Sequence, residues 1–160
     1  MTGLFDTHCH LTTPPLCDDP AAVMGRARAA GVEAVLVPGI DEVASAAAVG
    51  LSRALPGVLA AVGVHPEVAD RRPPDLAAIE RLVDAGGVSA IGEIGLDGIG
   101  EGRDAAAQDP AFLAQLELAR DRCLPVLVHC RSAWDRLLGA LGRIGPLPAG
   151  GIVHAYKGSI

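Results

Sequence analysis

Residues 7–20 read THCHLTTPPLCDDP, and this stretch decides between two architectures. It follows a short apolar run, Gly3-Leu-Phe-Asp6, and precedes a helical pattern that opens at Asp19-Pro20. It is therefore the first strand-to-helix connection. An open doubly wound sheet that binds nucleotides carries a glycine-rich G-x-G-x-x-G in this turn, where backbone amides and a helix N-terminus hold phosphate. Here the turn has no glycine and has two histidines, His8 and His10. The reading is an α/β fold of the (β/α)8 barrel type, whose working groups sit at the C-terminal ends of the strands.

The rest of the chain supports that reading. Strand-like runs fall at residues 3–9, 34–40, 59–65, 88–96, 125–129 and 151–154, and most are continuous Val, Ile, Leu and Ala, as in strands buried on both faces. Helical patterns fill the gaps at 20–30, 41–55, 75–85, 109–123 and 132–144. Asp19-Pro20 and Asp109-Pro110 each put an N-cap acceptor before a proline, while Gly31 and Gly86 stand where a left-handed residue ends a helix. Strand and helix in strict alternation predict a parallel sheet with right-handed crossovers, here about six strands and five helices. A complete barrel takes roughly 250 residues. The 160 residues are thus expected to form one domain, residues 1–160, equal to the N-terminal part of a barrel without its last two βα units. Two open sheet edges would then be available for self-association.

Composition limits the function. Half of the residues are apolar, as in a globular protein, and the formal charge of -6 gives no general attraction to phosphate. The four cysteines form no C-x-x-C pair and no signal-like segment precedes Asp6, which predicts reduced thiols in a cytoplasmic protein. No apolar run approaches the ~18 residues of a membrane span, so no membrane partner is expected. Four aromatics, Phe5, Phe112, Trp134 and Tyr156, are too few for a groove that grips single strands mainly by stacking.

Polar residues interrupt the apolar runs mainly at strand ends: Asp6, His8, His10, His65, Glu93, His129 and His154, a set that includes all five histidines of the chain. In a barrel those ends surround one cavity. Strand alternation sends His8 and His10 to one side and Cys9 to the other. Imidazoles and a carboxylate from several strands make a site for zinc, manganese or iron, with Asp6 as an acceptor fixing an imidazole tautomer. Glu93, flanked by apolar residues in AIGEIGLD (90–97), would be a costly buried charge without a cation. Cys9 and Cys130 are read as packing residues. Phe112, Leu113, Leu116 and Ala119 form a helical core stripe, and Arg71-Arg72 a solvated loop pair. Arg131 and Lys157 lie two and three residues beyond a proposed ligand, placed to meet an anionic substrate.

The phrases DTHCHL, GVHP, AIGEIGLD, Q-x-x-x-F-x-x-Q-L-x-L-A (108–119), LPVLVHCRSAWDRLL and GGIVHAYKGS occur in order across the chain. Together they resemble the TatD-type metal-dependent deoxyribonucleases of the amidohydrolase-like barrels. The resemblance implies that His8 and His10 ligate one metal, Glu93 bridges two, and His129 and His154 complete the ligand set of the second metal. It places His65 beside the scissile phosphate, which makes Glu93 and His65 the catalytic residues. The implied cofactors are two divalent ions (zinc, magnesium or manganese), and the implied substrate is DNA or a small phosphodiester, cut at exposed ends by a metal-activated water. Hydrolysis of a small ester, amide or aminoacyl bond is the alternative chemistry, since a fold does not fix function. A binding or scaffold role is the non-enzymatic one. Family members carry a further aspartate in a phrase like T-D-x-P, which has no counterpart here. GLDGIGEG lacks the usual aromatics, and HAYKGS stands for the more usual H-x-F-S-G-S.

Overall fold

The structure, a computed structural model, describes residues 3–156. Six parallel strands pair strictly in chain order: β1 (Leu4–Asp6), β2 (Val32–Val37), β3 (Val58–Val62), β4 (Ala90–Asp97), β5 (Val126–Arg131) and β6 (Gly151–Val153). The helices are α1 (Pro20–Ala29), α2 (Glu42–Ala54), α3 (Pro66–Ala69), α4 (Leu76–Asp84), α5 (Ala105–Asp121) and α6 (Trp134–Ile144). The sheet is curled. In a flat sheet, loops following the first and sixth strands would stand five inter-strand steps of ~4.8 Å apart, about 24 Å. Instead the ring of His8, after β1, stacks on that of His154, after β6, with centroids 4.0 Å apart. That contact fits an arc of a barrel and not an open sheet.

Most of the core lies between the outer face of the arc and the helices, where Met24, Val49, Ile79, Phe112, Leu116 and Leu137 pack against alternate strand residues. A smaller layer, Leu36, Ala61, Ala90 and Leu127, forms from neighbouring strands. Phe112, Leu116 and Ala119 are buried as the helical stripe requires, with Leu113 packed at its border. On the same face of α5 are two buried glutamines. Gln115 accepts from the Val64 amide at 2.7 Å and donates to the Val64 carbonyl at 3.2 Å, closing both polar groups of the residue before His65. Gln115→Leu fills the same space but leaves that amide unpaired. We expect a loss of about 2 kcal/mol, read as a lower urea midpoint at constant m; an unchanged midpoint would contradict it.

Close approach of β4 and β5 requires a glycine. Gly95 has φ +144°, and a Cβ there would lie 1.9 Å from the His129 carbonyl oxygen. Because Gly95 pairs with His129, this contact brings β5 against the strand that carries Glu93.

Several element bounds differ from the sequence reading, and three of the differences bear on the site. β1 stops at Asp6, because the Asp6 carboxylate accepts the His8 amide at 3.0 Å, a local side-chain bond that competes with strand pairing. His8 and His10 are thus loop residues, and Asp6 caps a turn rather than orienting an imidazole. A sixth helix, the single turn α3, starts where His65 caps it and Pro66 takes its first position. Helix α5 begins at Ala105, capped by Asp104, which accepts the Ala106 amide at 2.9 Å; Pro110 lies inside the helix, and Asp109 pairs with Arg136. The expected cap at Asp19 and the left-handed Gly31 and Gly86 are as read.

Candidate metal centre

Strand β4 is buried at all eight positions, and Glu93 in its middle is 3% exposed. A lone carboxylate at such a place must be neutralised or paired. Five imidazoles meet it. Oε2 lies 3.2 Å from His8 Nε2 and 3.8 Å from His10 Nε2. Oε1 lies 2.7 Å from His154 Nε2, 3.1 Å from His129 Nδ1 and 3.6 Å from His65 Nε2. The two oxygens therefore address two different sets of rings, contributed by the loops after β1, β3 and β6 and by strand β5 itself.

Protons alone do not account for this arrangement. Five imidazolium ions around one carboxylate would repel one another in a desolvated site. Burial, reinforced by neighbouring His8, pushes His10 below the usual histidine range, and burial does the same for His154. Burial alone would raise Glu93, but the hydrogen bonds from His129, His65 and His8 outweigh it and hold the group ionised, well below the carboxylate range. His129 is the exception. Burial lowers it, yet Glu93 and Asp97 together hold it above the ordinary value. Imidazole nitrogens and one ionised carboxylate form the nitrogen and oxygen donor set of zinc and its neighbours. His8 Nε2 and His10 Nε2 are 3.0 Å apart and converge on the same carboxylate oxygen, as ligands of one ion would.

His65 is different in kind. Its Nδ1 accepts the Glu67 amide at 3.2 Å, so the neutral ring carries its hydrogen on Nε2, the atom facing Glu93. A protonated nitrogen donates and does not ligate. His65, Glu93 and His129 do form a compact trio, with ligand atoms within 4.8 Å of one another, but the tautomer makes His65 a hydrogen-bond donor toward the cavity.

Behind His129 lies a second acidic layer that the sequence reading passed over. Asp97, the last residue of β4, is 1% exposed and sits 3.4 Å from His129 Nε2, a buried nitrogen with no hydrogen-bond partner among the described residues. Asp97 is held by Arg103 at 3.3 Å, and the same guanidinium pairs with Glu67 at 2.8 Å and Asp70 at 3.0 Å. Gln108 donates to Asp70 at 2.8 Å and accepts the Asp97 amide at 3.0 Å. Asp97 was accessible to the rule that found Glu93, being a charge at the end of an apolar strand. Arg103 was not, because it lies in a connection without periodicity.

The remaining candidates are placed as follows. Arg131, at the end of β5, and Trp134 line a cavity of about 380 Å³ that also touches His129 and His154. Arg71 is exposed, as read, and lines the histidine cavity, while Arg72 is tied to Glu42. Cys9 and Cys130 pack against the core, and burial pushes both thiols up, which keeps them protonated. Lys157 lies outside the described residues. No helix among the described residues is long and apolar enough to cross a membrane.

The family model described as TatD related DNase matches residues 5–160. The chain belongs to the TatD-related DNase family. It is 37% identical over 158 residues to a protein of Erwinia billingiae named 3'-5' ssDNA/RNA exonuclease TatD, covering 98% of this chain and 60% of that one. It is 35% identical to YjjV of Escherichia coli K12, named an uncharacterized metal-dependent hydrolase, over 98% of this chain and 61% of YjjV. The crystal structure of YjjV superimposes with a TM-score of 0.88 over the same shares. A TatD family hydrolase from Entamoeba histolytica, 22% identical, shares the fold with a TM-score of 0.80, covering 99% of this chain and 60% of that one. The chain thus spans about three-fifths of the length of the curated relatives it matches. The match in fold and family agrees with the sequence reading of a partial (β/α)8 barrel.

Proposed function

We propose that this TatD-family chain is a metal-dependent phosphodiesterase that acts on the ends of single-stranded DNA. One observation carries the reading: a buried carboxylate, Glu93, whose two oxygens each face their own group of imidazole nitrogens. His8 and His10 would hold one divalent ion on the Oε2 side, His129 and His154 a second on the Oε1 side, and Glu93 would be shared. Such ions, when bound, supply Lewis acidity toward a phosphoryl oxygen and bring the pKa of water near neutrality.

The chain's own groups do the rest. His65 Nε2–H points toward the same cavity, where it would donate to a phosphoryl oxygen as charge develops. Arg71 and Arg131, on the rims of the two adjoining cavities, offset phosphate charge, with Lys157 in the same role. Asp97, 3.4 Å from the second nitrogen of His129, is placed to orient that ring from behind. The name of the Erwinia relative supports a nucleic-acid substrate.

The same comparison supports the domain reading. The greater length of the relatives supports taking the six-stranded arc as the first part of a closed barrel, joined to its remaining βα units at β1 and β6, which expose Leu4, Phe5 and Ile152. Pairing of two copies on those edges uses the same geometry.

The experiment is direct. The full chain, loaded with manganese or magnesium, is expected to release nucleotides from single-stranded DNA, and a chelator is expected to stop the release. Release that survives the chelator, or none despite calorimetrically verified metal binding, would contradict the proposal.

A further inference from the structure

Beside the histidine cavity lies the second one, of about 380 Å³, within the ~300–1,000 Å³ of small-ligand sites. The two share His129 and His154 as a common wall. A group attached to a phosphate seated over Glu93 would therefore enter this neighbour. Its lining is unlike the first: Trp134 and Ile99 are apolar, and among the described residues Arg131 is the one lysine or arginine on it.

The walls are held in place. The Ile99 amide donates to the buried Asp97 carboxylate at 2.8 Å, and the Ile99 carbonyl accepts from Arg103 Nε at 2.7 Å. An isoleucine that is 42% exposed is thus fixed on both sides of its residue in a loop position where burial does not require it. Trp134 opens helix α6 and is met at right angles by Tyr156, with centroids 5.2 Å apart. A fixed aliphatic wall, an indole and a guanidinium beside a phosphate site suit a flat, weakly polar ring joined to that phosphate.

Resting on the phosphodiesterase reading, we propose that this cavity receives the terminal nucleobase of the strand, stacked on Trp134, so that the enzyme grips a single base beside the cut. Every base has a π-face, so such a pocket selects an unpaired end with little sequence preference. One such pocket also reconciles an end-acting nuclease with a chain of only four aromatic residues.

Trp134 is the sole tryptophan of the chain, so its emission reports on the pocket. Absorbance-corrected titrations of the full chain with magnesium would compare deoxyadenosine and thymidine 5'-monophosphates with 2-deoxyribose 5-phosphate. Both nucleotides are expected to change the emission and to bind about tenfold or more tightly than the base-free sugar phosphate. In turnover, Trp134→Leu is expected to raise KM for single-stranded DNA about tenfold with a smaller effect on kcat, and Trp134→Phe to restore most of the loss. Equal binding of nucleotide and sugar phosphate, or no emission change, would overturn the pocket. If chelator-sensitive release of nucleotides persists in that case, the phosphodiesterase reading stands and only the base site falls.

Discussion

Glu93→Gln is expected to lower nucleotide release by about 10³-fold or more, the equivalent of about 4 kcal/mol in the barrier, and to weaken divalent-cation binding at the same time. The substitution keeps the size and planarity of the side chain, so the packing of β4 has no reason to change. What it removes is the carboxylate charge that all five imidazoles share and one of the two oxygens that face separate ring sets. The amide nitrogen cannot ligate, so at most one ion position keeps its share of this residue. Rates of release and calorimetric titration of manganese, with far-UV circular dichroism to verify the fold, would measure it. Activity within tenfold of the parent chain would mean that Glu93 pairs with the histidines without serving the chemistry.

The second large effect falls outside the metal centre. Arg103 is the shared counter-ion of Glu67, Asp70 and Asp97, and the last two have side chains only 4% and 2% exposed. Removing one member of a buried ion network strands the others, so Arg103→Met is expected to cost about 3–5 kcal/mol of stability. Little of this comes from Glu67, which is 43% exposed and screened by solvent. The loss should depend on pH. The hydrogen bond and charge of Arg103 hold Glu67 below its usual value. For Asp70, burial acts upward but is outweighed by the Asp104 amide, Gln108 and Arg103. A depressed folded-state pKa stabilises fully above the unfolded-state value near 4 and ceases to do so as pH falls through the folded-state value. The gap in unfolding free energy between parent and variant should therefore be widest near neutrality and narrow below about pH 4. A gap that is constant from pH 7 to pH 3 would show that the guanidinium acts through packing alone.

The part of this molecule that was legible in the sequence is the part built on repetition. Apolar runs such as VLVPG and AAVGV alternate with helical stripes, and the histidines stand out because each breaks an apolar run. The absence of a glycine-rich first turn pointed to the barrel, and the stacking of His8 on His154 bears this out. Short-range competition was harder to read. Asp6 ends β1 by taking the His8 amide, and Asp104 starts α5 one turn before the Asp109-Pro110 signal. Both are choices between two acceptable local bonds, decided by the surroundings. Contacts between distant connections were not readable at all. Arg103 reaches Asp70 across 33 positions, and Trp134 joins Ile99 in one cavity only because β4 and β5 are neighbours.

The central claim is that the rings gathered by the curled sheet bind divalent ions on both sides of Glu93. Anomalous diffraction at the zinc edge, from crystals of the full chain grown with zinc, tests it most directly. Two peaks are predicted, one between Glu93 and the His8–His10 pair and one between Glu93 and the His129–His154 pair, with His65 outside both shells. A single ion, or peaks only at surface histidine or carboxylate groups away from Glu93, would contradict it.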